Sequence, residues 1–115
     1  MLFRSWLIPL VFIVLLLPAL PLFAHAEERM FRTGAEQWSP TKRVLKAMQF
    51  GAVHALIGIP IGAAIALSLG GGTFMWWYLR EFRQSGSRRQ ATIESTRLHT
   101  AYNAIIVVAV VVALA

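Results

Sequence analysis

The chain reads as an all-α membrane protein: a signal peptide, or a retained first helix, followed by a transmembrane helical hairpin. Three observations predict this. Residues 50–79 contain nothing more polar than His54, Ser68 and Thr73, and an uncharged apolar run of about eighteen residues or more reads as a spanning helix, because a helix satisfies its own backbone in lipid. Shorter apolar runs flank it at residues 5–23 and 98–115. With 57% of its 115 residues hydrophobic and 14% charged, the chain has too little polar material to build a soluble domain around a core.

The first run has the layout of a secretory signal peptide over residues 1–26. Arg4 supplies a positive start, Trp6 to Leu17 an apolar stretch, and Pro18 and Pro21 a break. Ala24-His25-Ala26 then offers the small-x-small pattern of a cleavage site. The alternative is an uncleaved first transmembrane helix. On either reading the N-terminus starts inside and residue 27 emerges outside.

Residues 27–49 form an exported polar segment and an amphipathic lead-in. Residues 27–41 lack periodicity and read as irregular, until Ser39-Pro40 gives an N-cap followed by proline at the first helical position. Residues 50–79 read as one transmembrane helix, kinked at Pro60. Along it His54, Gly58, Gly62, Ala66 and Gly70 recur every fourth residue, which lines a shallow groove for close helix packing. Gly70-Gly71-Gly72 lacks the Lys-Ser/Thr of a phosphate loop and reads as a flexible point or a tight contact. Trp76, Trp77, Tyr78 and Arg80 mark a membrane interface.

Residues 80–97 read as a basic cytoplasmic loop around a flexible Ser85-Gly86-Ser87 centre. Residues 27–49 carry as many basic residues, so the positive-inside rule alone does not orient the hairpin; the signal-like first run breaks the tie. The last run, 98–115, is long enough to cross the hydrocarbon but ends without an interfacial anchor, which suggests a truncated product or a fragment. The formal charge of +6 flanks membrane segments, so its partners are lipid phosphates and not nucleic acid. Without cysteine the chain forms no disulfide, no c-type haem attachment and no lipoprotein anchor.

His25, His54 and His99 are the candidate ligands. The strings His54-Ala-Leu-Ile-Gly58 and Arg97-Leu-His99-Thr-Ala-Tyr-Asn103 each open a helix, and an ionisable residue at a membrane helix suggests a site. This pair resembles the His-bearing helices of the four-histidine, two-haem membrane b-type cytochromes. The resemblance implies haem b held by His54 and His99, and a role as a membrane anchor in electron transfer. Antiparallel helices would place the two about 30 Å apart, so they cannot share an iron. The layout also resembles conjugative pilins of type IV secretion systems and, if the first run is retained, a holin. No catalytic constellation and no metal site is read from the spacing. The expected function is a small structural or accessory subunit of the bacterial inner (plasma) membrane. Its expected partners are the lipid bilayer and other membrane subunits or a second copy.

Overall fold

The computed structural model describes residues 2–114, which are helical almost throughout. Helix α1 (Leu2–Leu16), a 3-10 turn (Leu17–Ala19) and α2 (Leu20–Phe31) follow one another as a single rod. Pro18 and Pro21 fall in the first turns of the 3-10 segment and of α2, where a missing N–H removes no helical bond. They therefore do not end the helix as expected. The cleavage-like motif Ala24-His25-Ala26 lies inside α2, and Ala24 is fully buried on the stripe that includes Leu20, Glu28 and Phe31. Close packing accounts for its small side chain.

Residues 27–41 are not irregular. After α2 the chain turns on Gly34, whose φ of +93° suits glycine, and makes a second 3-10 turn at Ala35–Gln37. Helix α3 (Pro40–Leu56) starts where the Ser39-Pro40 signal places it, with the Ser39 hydroxyl accepting from the Lys42 N–H at 3.2 Å.

The stretch 50–79 is not one helix. It reverses at residues 57–60 and continues as α4 (Ile61–Ser85), which packs back on α3. Gly58 adopts φ +98°; its N–H donates to the Ala55 carbonyl at 3.2 Å and that of Ile59 to the His54 carbonyl at 3.1 Å. These are the paired bonds of a Schellman stop. Pro60 disfavours helical backbone at Ile59, so the chain turns where a kink was expected. Helix α4 ends at Gly86 (φ +67°), and α5 (Arg88–Leu114) begins after Ser87, whose hydroxyl accepts from the Gln90 N–H at 3.1 Å. The expected eighteen-residue loop is thus two helix ends and a two-residue turn.

Helix α5 runs antiparallel to both α4 and α2. Thr33 meets Thr92 at 2.8 Å and Glu36 pairs with Arg88, while Glu28 reaches Ser95 and His99. Residues 27–41 and 80–97, expected on opposite sides of a membrane, therefore sit together. At this end Ala35, Met75, Tyr78 and Ala91 form a small core under Trp38, Leu79 and Phe82. Tyr78 pins the turn, donating to Glu36 at 2.8 Å and accepting from the Gly34 N–H at 3.0 Å. Burial pushes its phenol up to about 12, so it remains a neutral donor. Trp77 and Tyr78 thus serve packing as much as any interface, while Trp76 is exposed and Arg80 lies over the Trp77 ring at 4.8 Å.

The other end is the reverse. Ile8, Leu15, Leu22, Leu56, Ile57, Ile61, Leu69 and Ile105 are each largely exposed, and every lysine and arginine except Arg4 lies between residues 29 and 97. Two segments, Leu10–Gln37 and Arg88–Ala113, are long and apolar enough to cross a membrane. The molecule measures 55 × 29 × 16 Å.

The small-residue ladder does not hold this fold together. A Cβ at Gly58, Gly62 or Gly70 would meet nothing within 4 Å, whereas one at Gly51 would fall 1.9 Å from Ser68 Oγ and 2.3 Å from the Ala64 carbonyl oxygen. Gly51 is where α3 and α4 touch, and the backbone there cannot yield cheaply. Gly51→Ala should lower the unfolding midpoint in detergent by an amount corresponding to about 1–3 kcal/mol. Gly62→Ala should leave it unchanged or raise it. Equal effects would show that α3 and α4 do not pack as described.

Candidate functional site

The most polar buried point of the molecule is the Glu28 carboxylate. Glu28 and Arg32 share one face of α2 at a four-residue spacing, while Ser95 and His99 do the same on α5. All four are at most 1% exposed. Glu28 Oε1 accepts from Arg32 Nη1 at 2.9 Å and from His99 Nδ1 at 2.9 Å, and Oε2 accepts from Ser95 Oγ at 2.6 Å. An ionised carboxylate only accepts, so His99 carries a proton on Nδ1. Its other nitrogen, Nε2, lies 3.6 Å from Glu27 Oε2.

Helices α3 and α4 close the site with aromatic rings. The Arg32 guanidinium carbon stands 4.3 Å from the Phe50 ring centre and 5.2 Å from that of Phe74. His99 stacks on Phe74 at 4.5 Å, and Phe31 meets Phe50 edge-on at 5.4 Å. Arg32 Nε and Nη2 have no hydrogen-bond partner; the ring faces supply their compensating attraction. Gly71 makes room for this, since a Cβ there would lie 3.0 Å from both Arg32 Nη2 and Phe50 Cδ1. Of the three consecutive glycines, Gly71 is the tight contact, while Gly70 and Gly72 face open space.

His54 and His99 are neighbours and not 30 Å apart. They flank Phe50, with ring centres 4.8 Å and 5.6 Å from it. The reversal at residues 57–60 brings His54 back toward α5. The Phe50 ring occupies the space between them, both nitrogens of His99 face carboxylates, and His54 Nδ1 is bonded to the Phe50 carbonyl. Neither histidine lines the principal surface clefts. The residues present do not fit a haem between them. Among the described residues no group of His, Asp and Glu is arranged to hold a metal ion. His25 is exposed on the far side of α2, at a cleft with Arg29.

Comparison with protein-family models, curated proteins and solved structures finds no match for this chain. The functional reading therefore rests on this geometry. The sequence pattern does not pick out Glu28 and Arg32, because residues 27–41 read as irregular, nor Ser95, which falls in the stretch that reads as a loop. The available signal was the Glu28/Arg32 spacing directly after an apolar helical run.

Chemically the cluster is a buried ionic latch: both oxygens of the Glu28 carboxylate accept from side-chain donors. Its energetics are asymmetric. Deleting one partner strands the other's charge in an apolar surround, at a cost of about 3–5 kcal/mol. Glu28→Gln should therefore destabilise the detergent-solubilised protein by about that amount. The double variant Glu28→Leu/Arg32→Met, which removes both charges, should be more stable than Glu28→Gln alone. If the double variant loses the sum of two single losses, the pair is not buried as described.

Proposed function

We propose that this protein is a small integral membrane protein with a structural or accessory role. On this reading the α1–α2 rod and α5 are two spanning arms, and the α3–α4 hairpin enters the same leaflet only as far as its tip. The observation that carries it is the sorting of the surface. Most exposed isoleucines and leucines lie toward one end, Leu45 being an exception, and the basic residues from Arg29 to Arg97 lie toward the other. Each such aliphatic side chain gains about 1.5–3 kcal/mol on leaving water. A solitary water-soluble bundle would have no reason to expose so many together.

Because residues 27–49 and 80–97 share one end, their basic residues add where the sequence reading set them against each other. The positive-inside rule then places that end in the cytoplasm, with residue 2 and residue 114 toward the far side of the inner membrane. The orientation of the first arm is opposite to that of a signal peptide. The buried Glu28 latch supports a scaffolding role over a reaction centre. The Gly58, Gly62, Ala66 and Gly70 positions lie on outward surface, where a neighbouring subunit or a second copy would pack.

The test uses single cysteines, which the native chain lacks. Thr41→Cys and Gln84→Cys should both resist an impermeant thiol reagent in intact cells and both react after permeabilisation. Labelling of one but not the other in intact cells would refute the shared end. Recovery of the protein in the supernatant after alkaline carbonate extraction would favour a soluble bundle.

A further inference from the structure

A second polar feature lies outside the Glu28 latch, on the opposite flank of the α2–α5 seam. Arg29 from α2 and Thr33 from the turn after it, with Arg88, Arg89 and Thr92 from α5, line a cleft of about 450 Å³. Its floor is the pair of threonine hydroxyls, 2.8 Å apart. Arg88 is steadied by Glu36, but Arg29 and Arg89 form no ion pair among the described residues. Three arginine side chains thus border one concavity whose described lining includes no carboxylate. Like charges gathered on one surface repel one another unless an anion joins them.

From this cleft we infer a binding site for the phosphate of an anionic glycerophospholipid. Guanidinium groups match phosphate oxygens in pairs. An isolated phosphate would be served by the arginines alone. The surroundings point to a lipid: directly above, one turn and more along α2, Leu22 and Phe23 are exposed, and Ile93 forms part of the cleft wall. Acyl chains can lie along that apolar surface while the headgroup sits among the arginines. The inference rests on the membrane reading, which sets this cleft at headgroup depth beside the arms.

The experiment is native mass spectrometry of the full chain in detergent, with phosphatidylglycerol, phosphatidylcholine or inorganic phosphate added. The wild-type protein should retain phosphatidylglycerol in preference to phosphatidylcholine and should not retain inorganic phosphate. Arg29 and Arg89 are exposed, so R29Q/R89Q should keep its unfolding midpoint while losing phosphatidylglycerol affinity about ten- to thirty-fold, as two basic contacts at an anionic surface imply. Equal retention by R29Q/R89Q and wild type would overturn the site. Equal retention of the two lipids, or retention of inorganic phosphate alone, would overturn the anionic lipid as its occupant. A protein that fails membrane extraction tests yet retains phosphatidylglycerol through these arginines would separate the two claims.

Discussion

One buried carboxylate organises the molecule. Glu28 collects donors from Arg32 on its own helix and from Ser95 and His99 on α5. Arg32 and His99 in turn hold the rings of Phe50 on α3 and Phe74 on α4. Helices α2, α3, α4 and α5 therefore meet at a single ionic point wrapped in aromatic rings. A misplaced helix would leave a charge without its partner in an apolar surround, a far larger penalty than a lost van der Waals contact. Such an arrangement specifies one packing of the four helices. Gly51 and Gly71 serve the same end, since each admits a neighbour that a methyl group would exclude.

Around this point the molecule has two unlike ends. Toward residues 34–42 and 78–92 there is a small core of its own, with Tyr78 tying the Gly34 turn to α4 and α5. Toward residues 7–22 and 104–113 the helices expose most of their described aliphatic side chains. The latch lies at the junction, below the arms, where the polar end gives way to the apolar one. Charged groups are costly in lipid and are usually paired and turned inward. Glu28 and Arg32 follow that rule, whereas Arg29, Arg88 and Arg89 lie on the outer flank.

Much of the helical content was legible. Ser39-Pro40 starts α3 as its capping chemistry requires, whereas Gly86-Ser87, which reads as the centre of a loop, ends one helix and starts the next. The helix reversal was not legible from hydropathy, because residues 50–79 are apolar throughout. Its signal was conformational: Gly58 ahead of Pro60 is a stop followed by a residue that cannot continue a helix. That one misreading propagated. Treating the stretch as a single span put residues 27–49 and 80–97 on opposite sides, and it separated His54 from His99 by a membrane thickness. The regular glycine ladder faces outward, while the close contacts within the fold fall at Gly51 and Gly71, off its register. The Glu28–Arg32 pair was visible as a spacing, but its burial depends on α5 returning alongside α2, which no local pattern announces.

The central claim is that α2 and α5 lie side by side at the polar end, so that the two basic segments share one face of the molecule. The most direct measurement is a Thr33→Cys/Thr92→Cys cross-link, in a chain whose only thiols would be these two. The two native hydroxyls are 2.8 Å apart, and the side chains of such a pair are close enough for a disulfide. Mild oxidation in native membranes should give a monomer with an intramolecular bond, seen as a mobility shift reversed by reductant and a loss of free thiol. Two thiols that stay free, or that link only between molecules, would contradict the account.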